Sequence, residues 1–515
     1  MLMAFSVYLH ECRQKGRTLT FEDWLSTRTD ITTAIDGIHQ NPAGALAPVP
    51  MAPELTNINS HDIHEHTEDD ADVSIIEARS ILLRRRGHTI GKRTILKSYT
   101  IQGEAFGYDV PHEYLVEGIT DIQGVKGLPI LTVGNATISG LRKFMQQIGA
   151  LPGGHSNVIF TDLREELVVY VNGTAYMRRE VEMAAAALHH AGIKAVKLED
   201  LERRLRTDVV NESIAWGGKI LLHKELESSS SVSRLSFESE KTFSLSNFAK
   251  LSNGGSQEDI TKTTSYQTNT FVSAFWERTG DGGDIDSGIW TPAEVFLGLA
   301  AEGYNLEYKR VPMSRERTPR TEDLDHLYKQ VAPKRNSEQT YYVFLSRTAN
   351  GSSARFAATF ACATLMTLTT SSNHLKSSEE VPRMNLPRSD SEGFELSRSV
   401  ESGEYRGIMN LLRALPRGGD AKSVVDVAID RCKSIGNITK DILQCKMISA
   451  DESDTLDSAD SLFAKRLGLH YLKRYFYLIA FISYLESANE TQETFKDWVD
   501  ARKEISYLAS VLDLE

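Results

Sequence analysis

The run "EQTYYVFLSRTANGSSARFAATFACATLMTL", Glu338 to Leu368, constrains this chain more than any other. It reads as a buried strand, then a small polar loop containing a glycine, then a long apolar helix. A strand of this kind belongs in a sheet covered by helices, and the start of such a helix presents free backbone N–H groups to the loop before it. That is a common way to cradle a phosphate.

The rest of the chain agrees with an α/β fold. "GLPILTVGNATISGLRKFMQQIGA" reads as strand, turn and helix. "NVIFTDLREELVVYVNGTAYMRREVEMAAAALHHAGI" reads as strand, loop, a hairpin around "NGT", and helix. Short β runs follow at "KILLHKEL" and "YNLEYKRVPM", and Thr291 and Pro292 open a capped helix in "TPAEVFLGLAAEGY". Ile75 to Leu83 makes a short amphipathic helix that Gly87 and Gly91 end. The expected core is built around a largely parallel or mixed sheet. From "EYRGIMNLLRALPRGG" onward the pattern is helical, and "YFYLIAFISYLES" is apolar nearly all round, so these helices cover the sheet.

Length and composition exclude several classes. The 515 residues, 41% hydrophobic and 25% charged, allow two or three domains with real cores. A net charge of −12 argues against broad binding to nucleic acid, which needs clustered cations. The densest basic cluster, Arg84, Arg85, Arg86, Lys92 and Arg93, is read as a solvated helix end or as a phosphate-facing patch. Cys12, Cys362, Cys432 and Cys445 show no CxxC spacing and are expected as thiols in a reducing compartment, the cytoplasm by default. No apolar run reaches the roughly 20 residues of a membrane span, and the N-terminus lacks the pattern of a signal peptide.

Two stretches repeat. "AFSVYL" (Ala4 to Leu9) matches "AFISYL" (Ala480 to Leu485), and "TFEDWLSTRTDI" (Thr20 to Ile31) matches "TFKDWVDARKEI" (Thr494 to Ile505) in the same order. Residues 1–31 are therefore expected to be the last helices of a preceding unit. Residues 32–72 read as a flexible linker. Its "HDIHEH" has the composition of a metal tract but no framework to fix a geometry, so no metal site is assigned. The full unit divides into an N-terminal part, 73–224, a Ser-rich insertion, 225–288, and a core carrying the loop, 289–370. A second Ser-rich insertion, 371–403, and a helical C-terminal part, 404–515, complete it.

Taken in order, "RRRGHTIGKRTILKSY", "DLREELVVYVNGTAYMRREVE", "TPAEVFLGLAAEGYNLEYKRVPMSRERTPRTEDLDHL", "YYVFLSRTANGSSARFAATFACATLMTL", "GEYRGIMNLLRALP", "VVDVAIDRC" and "YLKRYFYLIAFISYLE" resemble one repeat of the paladin family. Those proteins are tandem arrays related to protein-tyrosine-phosphatase-like inositol phosphatases, or phytases. The resemblance implies a phosphatase-like fold, no cofactor, and a strand-to-helix loop of pattern C-x5-R. In that loop a thiolate attacks phosphorus, backbone amides and an Arg bind its oxygens, and an Asp on another loop protonates the leaving group. The pattern places the nucleophile position at Ser346, the Arg position at Ser352 and the acid position at Arg315, beside Glu316. None carries the required residue. Asp323 and Asp325 match a structural acidic pair that follows the acid loop. No cysteine of this chain has an Arg six residues on, and in "CRQKGR" at Cys12 the Arg comes one position early.

The unit is thus expected to be a phosphatase-like module without a competent catalytic residue. The alternative that the resemblance implies is a cytosolic phosphatase acting on phosphoinositides, inositol phosphates or phosphotyrosine. Phosphate binding is a separate expectation: Arg347, Asn350, Gly351, Ser353 and Arg355 are the candidates, against a vestigial loop in which Ser352 or Ser353 only caps the helix. The expected partners are a phosphorylated ligand (inositol phosphate, phosphoinositide or phosphoprotein) and neighbouring repeats of a longer chain.

Overall fold

The computed structural model describes residues 8, 12, 20–26, 75–98, 116–181, 190, 192–225, 272–280, 282–314, 317–332, 340–374, 405–450, 458–487 and 493–514. The linker with its His-rich tract, most of both Ser-rich stretches, and Arg315 and Glu316 lie outside them. In chain order the strands are β1 (Thr94–Lys97), β2 (Ile122–Gly124), β3 (Ile130–Val133), β4 (Asn157–Asp162), β5 (Val168–Val171), β6 (Thr174–Glu180), β7 (Lys219–Glu225), β8 (Val272–Arg278), β9 (Ile289–Trp290), β10 (Leu306–Arg310) and β11 (Thr340–Leu345). The helices are α1 (Phe21–Ser26), α2 (Ile75–Arg84), α3 (Ile138–Gln147), α4 (Ala195–Ala215), α5 (Pro292–Ala301), α6 (Thr321–Val331) and α7 (Ser352–His374). They continue as α8 (Arg406–Ala414), α9 (Gly418–Arg431), α10 (Ile438–Ala450), α11 (Ser458–Ser487), α12 (Phe495–Ala501) and α13 (Lys503–Ser510).

One sheet runs β10-β4-β11-β3-β2, parallel except for the edge strand β2. Both faces of β11 are buried, as a parallel sheet requires. Tyr342 and Phe344 face a core shared with α6, α7 and the helices from α8 onward. Val343 and Leu345 face a second core with α3, α5 and one face of β5 and β6. The apolar helix predicted around Tyr475 to Leu485 lies in the first core, packed on α7 through Phe360 and Phe481, whose rings are 4.6 Å apart.

The mixed sheet expected from the sequence is present, and a second accompanies it. A second sheet, β8-β7-β1-β6-β5-β9, is antiparallel except where β1 meets β7. Antiparallel strands need only a tight turn between them. The "NGT" turn supplies it, with Asn172 at φ 46° and Gly173 at φ 78° joining β5 to β6. Edge strand β8 falls within the stretch expected to be a Ser-rich insertion. Its "VSAFWER" pairs with β7 along its whole length, a signal that the serines around it dilute.

The basic cluster after α2 is also corrected at Arg85, which is buried rather than solvated. Its guanidinium donates to Glu212 Oε1 at 2.9 Å and to the carbonyls of Thr94 and Leu221, tying α2 to the sheet and to α4.

The repeated segments share more than letters. Tyr8, Phe21 and Trp24 form a ring cluster with centroid distances of 5.4, 5.6 and 5.8 Å. The matching Tyr484, Phe495 and Trp498 give 5.5, 5.7 and 5.9 Å. Thr20 and Thr494 each accept the amide of the Asp three residues on, Asp23 or Asp497, at 3.2 Å.

Candidate functional site

Parallel α/β sheets carry their sites at the carboxyl ends of the strands. Here that edge holds the residues after β11, β4, β10 and β3. Leaving β11, the chain is anchored by the Ser346 amide, which donates to Val133 O at 3.0 Å. The Ser346 hydroxyl turns back into its own loop and donates to Thr348 O at 2.5 Å. The Gly351 amide reaches the same carbonyl at 3.0 Å, closing a tight turn. Asn135 donates to Arg347 O at 3.4 Å, and the Ala349 amide donates to Asp121 Oδ2 at 2.8 Å. Thr348, Asn350, Ser352 and Ser353 leave their amides without an acceptor among the described residues.

The side chains at the start of α7 are placed unevenly. Ser353 Oγ donates to Met313 O at 3.0 Å, pinning the helix to the acid loop, and Ser352 Oγ has no partner among the described residues. Neither hydroxyl is turned onto a first-turn amide. The Arg355 guanidinium points behind the loop, donating to Asn350 O at 2.9 Å and to Asp441. Gly436 makes room for it, since a Cβ there would lie 2.3 Å from Arg355 Cδ. Arg355 thus braces the loop from outside.

An arginine does stand beside position 352, but it comes from α11. Arg474 is buried, and its guanidinium donates to Ser352 O at 3.1 Å, to Arg317 O at 3.2 Å and to Ser314 O. It holds the acid loop against the start of α7 through backbone carbonyls. Nearby His470 shares a hydrogen with Thr318 Oγ1 at 3.3 Å, and burial with Arg474, Lys473 and Arg317 around it pushes the imidazole down to about 4.

The two matched acids serve helix ends. Asp323 accepts from Arg320 N at 3.0 Å and from its guanidinium at 2.8 Å. Asp325 accepts the Phe495 amide at 2.8 Å and the Lys496 amide at 3.1 Å, placing a negative charge at the start of α12.

Below the site lies a buried ionic network that the sequence reading did not find. Asp162, ending β4, is fully buried and accepts from Arg164 Nη2 at 2.7 Å, Arg310 Nη1 at 3.1 Å and the Tyr308 hydroxyl at 3.1 Å. Burial alone would raise its carboxyl, yet the two guanidiniums bring it to about 2. Glu202 of α4 shares Arg310 at 3.0 Å, and burial raises it to about 7 against that pull. Arg164 also donates to Asn135 Oδ1 at 3.2 Å, so the network reaches Arg347 O through one side chain. The sequence signal for it is the charged run "DLREE" straight after an apolar strand.

A family model for PTP-like phytase, described by inositol hexakisphosphate, matches residues 161–366, from β4 through most of α7. Paladin of Gallus gallus is 21% identical over 520 residues, covering 100% of this chain and 46% of its own length. Paladin of Mus musculus is 26% identical over 231 residues, 44% of this chain and 25% of that protein. The chain is thus similar to paladins and, over residues 161–366, to the PTP-like phytase model. It spans less than half the length of the curated paladins it matches. Among solved structures, the PTP-like myo-inositol phosphatase of Mitsuokella multacida, in complex with myo-inositol-(1,3,4,5)-tetrakisphosphate, has a TM-score of 0.39 at 12% identity. That match covers 80% of this chain and 48% of the Mitsuokella chain. A PTP-like phytase of Bdellovibrio bacteriovorus has a TM-score of 0.32 at 11% identity, with 73% and 88% covered. Among the described residues, no helix is long and apolar enough to cross a membrane, and no group of three His, Cys, Asp or Glu could hold a metal ion.

Proposed function

We propose that this chain is a catalytically inactive phosphatase-like unit of a longer protein, with a structural, regulatory or phosphate-binding role. One observation carries the reading. The hydroxyl at the nucleophile position, Ser346, is spent on Thr348 O within its own loop, while position 352 offers no guanidinium. A serine hydroxyl is scarcely ionised near neutral pH and needs a base beside it, whereas a loop thiol can be largely thiolate. Losing a preorganised charged contact to the transition state costs a further few kcal/mol, about 3 for a single donor.

Phosphate binding without turnover is supported by the free amides of Thr348, Asn350, Ser352 and Ser353 at the head of a long helix. The ligand class is an inositol phosphate or a phosphoinositide headgroup. The recurrence of the Tyr, Phe, Trp geometry at residues 8–24 supports reading 1–31 as the end of a preceding unit. A cytoplasmic setting fits the buried cysteines Cys362, Cys432 and Cys445, which are in no disulfide.

The test is phosphate release by the purified chain from inositol phosphates, phosphoinositides and an aryl phosphate, beside Ser346→Ala and the double variant Ser346→Cys with Ser352→Arg. The natural chain should release no more than Ser346→Ala. Release abolished by Ser346→Ala would mean that a serine does the work of the thiolate, and the proposal would fall.

A further inference from the structure

Asp121 stands just before β2, at the carboxyl edge of the parallel sheet, and its Oδ2 takes the Ala349 amide from the middle of the loop. Its other oxygen accepts the Thr120 hydroxyl at 3.1 Å. Among the described residues those are its contacts, and no Lys or Arg comes within ion-pair distance. Burial raises its carboxyl, with the amide and the hydroxyl opposing that rise.

The surroundings are built for this carboxylate. Gly134 follows β3, and a Cβ there would lie 2.1 Å from both Asp121 Oδ1 and Thr120 Oγ1, so only glycine lets the acid lie along the strand end. The Gly134 amide in turn donates to Asp121 O at 2.9 Å, fixing the backbone that presents the side chain. A loop amide of the kind that would meet a phosphate oxygen therefore meets a carboxylate oxygen supplied by the protein.

We propose that Asp121 is the resident anion of the 346–353 loop and sets the charge that the loop accepts. This rests on the anion-binding reading above. A phosphate dianion entering beside the remaining amides of the loop does so against the Asp121 charge. Removing that charge while keeping an acceptor for Ala349 turns the loop into a better anion site.

The experiment is calorimetric titration of the full chain with inorganic phosphate at neutral pH, using the natural protein, Asp121→Asn and Asp121→Ser. Asn keeps an oxygen for the Ala349 amide, and Ser removes the charge in less volume with a hydroxyl too short to reach that amide, so a folding failure of one leaves the other to decide. Circular dichroism melting shows which variants are folded. The expected result is tighter phosphate binding by the charge-free variants, on the order of tenfold for one like charge a few ångströms away. Equal or weaker binding by the variants overturns the role given to Asp121 and leaves the anion-binding reading standing. Binding by none of the three proteins overturns both.

Discussion

Replacing Asp162 by Asn removes the charge at the centre of the buried network while keeping the shape of the side chain. Two guanidiniums, Arg164 and Arg310, are then left with Glu202 as their nearest carboxylate. Breaking a buried ion pair by removing one partner costs about 3–5 kcal/mol. An independent figure comes from proton linkage. A carboxyl brought from 3.8 to about 2 on folding contributes about 2.5 kcal/mol at neutral pH. The two bracket a loss of roughly 2.5–5 kcal/mol, a large share of the roughly 5–15 kcal/mol that holds a domain together.

The assay is urea unfolding of the full chain and of Asp162→Asn, followed by circular dichroism. The pH dependence has a definite sign. Because the folded carboxyl is depressed, its contribution is fully present above about pH 4 and is lost as pH falls through about 2. The gap between the two proteins should therefore close toward pH 2, with a separate change between pH 7 and 5 where Glu202, raised to about 7 in part by the Asp162 charge, takes up its proton. A difference below about 1 kcal/mol at pH 7, within the range of an exposed pair, would show that the network does not hold the edge of the site.

Asp325→Ala frees the Phe495 and Lys496 amides at the start of α12 and should cost about 1–2 kcal/mol, with faster hydrogen exchange confined to that helix and its packing against α6. Gly134→Ala drives a Cβ into Asp121 and Thr120 and should lower the melting temperature by several degrees, more than Gly419→Ala, where a Cβ meets nothing within 4 Å.

Most of the scaffold was legible because its signals are local. The Thr291, Pro292 and Glu294 capping box, the Asn172–Gly173 turn, and the strand and helix flanking the 346–351 loop are each written in a few adjacent residues. The second sheet was not legible, because β8 reaches β7 across a long Ser-rich stretch and pairing is decided by tertiary contact rather than by composition. At the site, Ser346 and Ser352 were found by their position in a spaced pattern. Asp121, Asn135, Asp162 and Arg474 escaped because each acts from a different strand end or helix, with no fixed spacing to the loop. Arg355 was assigned to the ligand side from its nearness in sequence. Helical geometry instead turns it onto Asp441, since a residue one turn into a helix need not face the loop before it.

Arg474 has a consequence for how the molecule comes into being. Its three carbonyl partners precede it by 160, 157 and 122 positions. A chain growing from its N-terminus on the ribosome completes the sheet and both loops long before the residue that clamps them together exists. The carboxyl edge of the sheet must wait for α11, so any product that stops short of residue 474 carries both loops and none of the clamp.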